Sequence, residues 1–491
     1  MADWTQLGSD IDGEAANDNS GYSVSLSSDG TIVAIGAYAN DGTGSLAGHV
    51  RIYEYKTITE EEYDNGNTTN TTGASGVPII IDGGVSWGES TNFWVQQGDD
   101  IDGEATGDNS GVSVSLSDDG SIVAIGAYSN DGAGSSAGHV RVYEYSGSSW
   151  SQKGADIDGE AAGDWSGYSI SLSEDGGVVA IGARLNDDAG NNAGHVRVYE
   201  WNSGTSAWVQ KGSDIDGEAA NDLSGYSVSL SDDGSIVAIG ASSNDGTASN
   251  AGHVRVYEYS GSSWSQIGAD IDGEAVGDYS GYSVSLSDDG SIVAIGAIKN
   301  DGTGTDAGHV RVYEWNGSAW VQKGGDIDGE ATDDESGRSV SLSSDGTIVA
   351  IGAYLNDGAG SNAGHVRVYE YSGSSWSQKG GDIDGEAADD RSGFSVSLSD
   401  DGSIVAIGAY ANDGTGNLAG HVRVYTIPLS DVLQKVITAN DYINGAAIVH
   451  VSPLPNVSNT RLSQTINDNT GIERISDVLD TRFDDKTYYT G

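Results

Sequence analysis

Four short runs of alternating apolar and polar residues recur along this chain, each bounded by glycine, aspartate or serine. In one stretch they read WSQKG (150–154), YSISLS (168–173), VVAIGA (178–183) and HVRVYEW (195–201). A period of two, rich in β-branched residues and closed by turn formers, predicts strands and not helices. Each group of four runs is therefore a small antiparallel sheet. The group itself repeats: the dipeptide Gly-His places histidine at 49, 139, 195, 253, 309, 365 and 421, at spacings of 90, 56, 58, 56, 56 and 56 residues. That is seven copies of a 56-residue unit over residues 4–425, with an insertion of 34 residues in the first. One such sheet cannot bury both its faces, whereas sheets packed radially can. The expected fold is all-β, a seven-bladed β-propeller of four-stranded antiparallel blades over 1–425, followed by a C-terminal non-repeat extension, 426–491. The chain opens on an orphan outer-strand sequence, WTQLG (4–8), and the last copy stops after HVRVYTI (421–427) without one. Trp4–Gly8 is expected to complete the last blade.

With strands a to d running up and down, the d-to-a loops (DIDGEAANDNSG, 10–21) and the b-to-c loops (NDGTGSLAG, 40–48) share one rim. Tight turns such as SDDGS (117–121) and SGSS (146–149) share the other, with Asp-Gly suited to hairpin geometry. The long loops, most of the repeated acids and the Gly-His histidines thus gather on a single face.

Charge sharpens this picture. With 21 Lys+Arg against 74 Asp+Glu, the net charge is −53, a surface that attracts cations and repels nucleic acid and anionic lipid. No apolar run is long enough to insert in a bilayer. The absence of cysteine rules out disulfides and thiolate metal sites. The opening MADWTQLGSD lacks the basic and apolar regions of a secretory signal. Within the repeated DIDGE motif, Ca²⁺ is the candidate cofactor, since Asp-x-Asp-Gly resembles the start of a loop that wraps oxygens around an ion. The candidate ligands are Asp10, Asp12, Glu14 and Asp18 in the first loop, with Asp41 across the rim. Their counterparts are Asp100, Asp102, Asp156, Asp158, Asp214, Asp216, Asp270, Asp272, Asp326, Asp328, Asp382 and Asp384. An Asx-turn with a solvated acidic rim is the competing reading. The Gly-His histidines are expected to order a neighbouring loop by hydrogen bonding to an acid. The recurrent arginines (51, 141, 197, 255, 311, 367, 423) are expected to pair with carboxylates, and the recurrent tryptophans (4, 94, 150, 208, 264, 320, 376) to pack between blades.

The stretches SGYSVSLSSDGTIVAIGA (20–37) and AGHVRVYEY (137–145) resemble the FG-GAP repeat of integrin α-subunit propellers and of related bacterial, algal and viral surface proteins. The resemblance runs through all copies, residues 4–425. It implies a seven-bladed propeller, a binding role, ligand contact on the long-loop rim and, often, calcium. Integrin-like calcium loops carry D-x-D-x-D-G between strands a and b. This chain has only short turns there, such as SSDGT (27–31), which leaves the family's calcium position without its ligands.

Function is sought where the copies differ. After the last acid of each d-to-a loop stand Asn19, Asn109, Trp165, Leu223, Tyr279, Glu335 and Arg391, while their neighbours hardly change. Three residues on come Tyr22, Val112, Tyr168, Tyr226, Tyr282, Arg338 and Phe394, and the pairs after IGA include Arg184 and Lys299. Trp165, Arg184, Leu223, Tyr279, Lys299, Glu335, Arg338 and Arg391 are the candidate partner-binding residues, for a rim mixing aromatics, arginine and acids has the composition of a protein or glycan contact surface. No acid, histidine or serine occurs once at a special place in the ring, and no Asp-box, phosphate loop or cysteine nucleophile is present, so no enzyme is expected. Partners would be a protein or glycan on a cell surface, or neighbouring virion proteins. The expected location is extracellular or on a virion, as a decoration or host-attachment protein, with a secreted bacterial or algal adhesin or a glycan-binding lectin as alternatives. The insertion, 56–93, reads as a protrusion or docking arm on the short-turn rim, and 426–491 as a connector or oligomerisation segment.

Overall fold

The structure is a computed structural model that describes residues 3–57, 80–81, 84–85 and 92–427. Met1–Pro428 form one compact unit. Within it seven sheets each hold strands a, b, c and d in antiparallel order, as the alternation predicts. In the fourth copy these are a (Ser224–Leu230), b (Ile236–Ala241), c (His253–Tyr259) and d (Trp264–Gln266). Strand d has a second piece that the sequence reading assigned to the loop: Ile271–Asp272 pairs with Val254 and His253 of strand c. The Ile-Asp pair of DIDGE is therefore strand, with its isoleucine pointing into the core; Ile11 is 0% exposed. Of the insertion, Ile80–Ile81 and Gly84–Val85 form a two-stranded pair. The ends of the expected docking arm belong to the blade, since Lys56 pairs with Phe93 and Thr57 with Asn92 where strands c and d of the first copy run on; its other residues lie outside the described residues, as does the expected tail from 428 on.

Apolar seams between blades hold the ring. One seam joins Ile122, Val140, Val142 and Ile157 of the second copy to Ile170, Leu172, Val179 and Ile181 of the third, and equivalent clusters fill the other junctions. Strand b is buried on both faces: Val123 and Ile125 enter one seam, Ile122 and Ala124 the next. This explains its unbroken apolar run, IVAIGA, beside the alternating SVSL of strand a. The valine and leucine of strand a fill a seam, and its serines bond neighbouring copies: Leu116 N–H donates to Ser25 Oγ at 3.0 Å, and Ser23 Oγ to the Gly111 carbonyl at 2.8 Å. As expected, the tryptophans also span junctions, each indole N–H donating at 2.6–3.0 Å to the carbonyl of the residue that follows the first piece of strand d in the preceding copy.

Closure uses the N-terminal strand. Thr5 and Gln6 pair with Thr426 and Tyr425, and Ile11 and Asp12 with Val422 and His421, so the first residues supply strand d of the last blade. On the short-turn rim a second circuit closes, unforeseen from sequence. The backbone N–H of Ser28, Asp118, Glu174, Asp232, Asp288, Ser344 and Asp400 each donates at 2.9–3.0 Å to the carbonyl of the next in that order, and Asp400 returns to Ser28.

The IGA glycine marks the tightest approach between copies. A Cβ at Gly240 would collide with the Gly281 carbonyl oxygen and with Ser227 Oγ. Gly240→Ala is expected to cost about 1–3 kcal/mol, the usual penalty of overpacking, read as a lower urea midpoint. An unchanged midpoint would mean that adjacent blades are not in register at this point.

Candidate functional site on the long-loop rim

Each long loop is framed by a buried aspartate. Asp18 Oδ2 accepts the Ala15 N–H at 2.9 Å and the Asn40 side-chain amide at 3.1 Å, and all seven copies repeat both bonds. Asn40 Oδ1 in turn accepts the Gly42 N–H, an Asx-turn, and Asp41 Oδ1 the Leu46 N–H. Asp18 and Asp41 thus build the loops. Asp12 lies on strand d, its carbonyl accepting from Arg51 Nη2 at 2.8 Å, a bond repeated for Asp102, Asp158, Asp216, Asp272, Asp328 and Asp384 at 2.6–2.7 Å.

The remaining acids of one DIDGE motif are divided between two blade junctions. Asp10 faces His421 and Glu386, while Glu14 faces His49 and Asp100. The same grouping joins Glu104, His139 and Asp156; Glu160, His195 and Asp214; and Glu218, His253 and Asp270. Glu274 and Glu330 stand beside His309 and His365 in the same way. The acids cluster, as the sequence suggests, but around a histidine and with two carboxylates each. Each cluster offers two carboxylates beside an imidazole, against the six to eight oxygens that calcium prefers.

The expected hydrogen bond from histidine to acid is not made, since Nδ1 lies 3.8–4.0 Å from the carboxylate oxygens. Burial, reinforced by the adjacent arginine, pushes His49 down to about 3 and His309 and His365 to about 4, so the rings are neutral. Arginine does pair with carboxylate, Nη1 standing 3.5–3.8 Å from the loop glutamate.

Nearer the axis the divergent residues come together. Tyr22, Phe394, Arg338, Tyr282, Tyr226 and Tyr168 follow one another around it, with neighbouring aromatic centroids 4.6–5.3 Å apart where both partners are rings. Arg338 is part of this plug, its guanidinium 3.8 Å from the Phe394 ring centroid and 5.0 Å from that of Tyr282, and its Nε is buried without a partner among the described residues. It is not a free contact residue. Neither is Glu335, 7% exposed, which accepts from Lys299 and from the Tyr354 hydroxyl; Lys299 also donates to Asp306 at 3.0 Å. Around the plug, Trp165, Arg184, Leu223, Tyr279 and Arg391 are half-buried. Arg184 lies 4.8 Å from the Trp165 ring and 4.0 Å from that of Tyr168, and Arg391 donates to the Tyr410 hydroxyl.

Residues 156–199 and 327–369 match the family model for the FG-GAP repeat. Two of the seven copies thus match the FG-GAP repeat. No curated protein matches the chain. Among solved structures, Kuenenia stuttgartiensis hydrazine synthase is similar at TM-score 0.48 and 13% identity, over 86% of this chain and 97% of that one. A candidate 6-phosphogluconolactonase from Bacteroides uniformis is similar at TM-score 0.47 and 11% identity, over 74% and 85%. Likeness at this level carries no argument about activity.

In the blades the a-to-b turn is held by its own aspartate. Asp29 Oδ1 accepts from Ser27 Oγ and the Thr31 N–H, both at 2.9 Å. The residue before it belongs to the backbone circuit, where burial and then mutual repulsion push Asp118 up to about 7 and Asp400 to about 6, and raise the adjoining Asp232 and Asp288. A carboxyl with a raised folded pKa binds a proton that the unfolded chain releases. Its contribution to stability is lost as pH rises through 6 to 7. The histidines act oppositely: their folded values fall below 6.5, so stability is lost as pH falls from 6.5 toward 4. The two windows overlap between about pH 4 and 7 and oppose each other, and above about pH 7 both sets are deprotonated in either state, so the melting midpoint is expected to level off there. Asp288→Asn, which removes one opposing carboxyl, is expected to steepen the rise of the midpoint between about pH 4 and 7. A pH profile unchanged by that substitution would contradict the coupling.

Proposed function

We propose that this propeller is a non-enzymatic recognition or adhesion module, displayed outside the cell or on a virion, with its binding face on the long-loop rim. One observation carries the reading. The divergent position after the last loop acid is in the left-handed backbone region in every copy, φ 51–59°. The first two copies hold Asn19 and Asn109, asparagine being among the residues that tolerate this region best. The others hold Trp165, Leu223, Tyr279, Glu335 and Arg391, whose strain is on the order of 1–3 kcal/mol each. Glu335 is absorbed by its internal ion pair, and the other four are retained at that cost for what their side chains contact.

FG-GAP repeats typically belong to extracellular binding proteins, which supports the same reading, as does the sevenfold repetition of the His-acid clusters, which singles out no asymmetric centre. Among the described residues no helix is long and apolar enough to cross a membrane. For the carrier we favour a virion decoration or host-attachment protein; a secreted bacterial or algal adhesin is the alternative. Calcium is proposed as a diffuse counter-ion of the acidic rim, where clustered carboxylates attract cations. Clefts at blade junctions, one lined by Trp4, Asp382, Asp384 and Tyr425 and another by Asp100, Asp102, Tyr143 and Trp150, favour a lectin as the second reading, since aromatic faces flanked by acids suit sugars.

Trp165→Ala and Arg391→Ala should each weaken binding of the labelled protein to host cells or to a glycan-array hit by about 30-fold, the loss of an anchor worth about 2 kcal/mol. The melting midpoint should hardly move. Intact binding in both variants, together with loss of binding when the 56–93 insertion is truncated, would place the working face on the opposite rim.

A further inference from the structure

The His-acid clusters have the arrangement of a metal site. In each of those at His49, His139, His195, His253 and His421, one imidazole nitrogen and one oxygen from each of two carboxylates lie within 4.8 Å of one another. The histidine side chains are 1–2% exposed, and their Nδ1 atoms face oxygens that stand too far off for hydrogen bonds. At His195 both ring nitrogens are buried with no partner among the described residues. An unpartnered buried polar group is costly, and an ion bonded at about 2.0–2.2 Å to each ligand would occupy this gap after small side-chain shifts.

The second oxygen of each carboxylate is already held. Gln96 Nε2 donates to Asp100 Oδ1 at 2.6 Å, leaving Oδ2 toward His49, and Arg51 stands against Glu14 Oε1, leaving Oε2. Glutamine holds the aspartate in all seven copies, at 2.5–2.7 Å. Outer contacts of this kind orient metal ligands.

We propose that these clusters are binding sites for a divalent transition ion of the zinc class, one at each blade junction. The imidazole nitrogen selects a borderline ion over Ca²⁺, whose shell is oxygen. Histidine and aspartate come from one blade and glutamate from the end of the strand d before it, so the bound ion ties adjacent blades. With two carboxylates and one guanidinium per cluster, a divalent ion changes the local charge from −1 to +1 on a rim that is strongly acidic.

The test uses the full chain, stripped with chelator. Calorimetry with Zn²⁺ should show up to seven equivalents per chain, one for each His–Glu pair, and a raised melting midpoint, while Ca²⁺ at the same concentration should do neither. Crystals soaked in Zn²⁺, with data taken at the zinc absorption edge, should show anomalous peaks beside Nδ1. In Asp270→Asn or Glu218→Gln the peak at His253 should vanish and the others remain as internal controls. Absence of zinc binding, zinc only at carboxylates remote from the histidines, or an unchanged His253 peak in both variants would overturn the proposal.

Discussion

Every other feature of this protein depends on the apolar seam between neighbouring blades. A ring of seven copies closes only if each junction repeats the same angle, and that angle is set where one copy's strands b to d meet the next copy's strands a and b. Val140, Val142 and Ile157 on one side and Ile170, Leu172, Val179 and Ile181 on the other cannot drift independently, because close-packed interiors register even a methylene. The last junction has no chain continuity within its blade, so strand pairing of Thr5 and Gln6 with Thr426 and Tyr425 takes its place. Freedom to vary survives only at positions that face neither seam nor loop frame.

Much of this was legible because it is periodic. The alternation of SVSL and HVRVYEY, the Gly-His spacing and the orphan WTQLG each report a local pattern, and the strands, the copy number and the closure follow from them. What stayed hidden depends on neighbours across a junction. Asp10 and Glu14 are four residues apart, yet the strand they leave sends one toward His421 and the other toward His49. Read along the chain they look like one calcium loop. The second piece of strand d was missed because two paired residues, Ile11 and Asp12, carry too little periodicity to register. Likewise nothing in the sequence marks Arg338 and Glu335 as internal, since their burial comes from the rings and the lysine of other copies and loops.

The acids of the rim divide by role more than by position. Asp18 and its counterparts are used in loop frames, the glutamates on arginine, and the first aspartates of DIDGE on glutamine, each keeping an oxygen toward an imidazole. A strongly negative rim is thus compatible with a rigid one. On that rigid frame the half-buried Trp165, Leu223, Tyr279 and Arg391 are displayed from positions where the backbone favours asparagine.

The central claim is that these four side chains serve contact and not folding. The most direct measurement is the thermal midpoint of a chain carrying Trp165→Asn, Leu223→Asn, Tyr279→Asn and Arg391→Asn together, which makes those copies match Asn19 and Asn109. The predicted result is an unchanged β-sheet signature and a midpoint at or above that of the parent, because left-handed strain is relieved at four positions. A midpoint several degrees below the parent would show that these residues hold the ring together, and would contradict the assignment of this face to recognition.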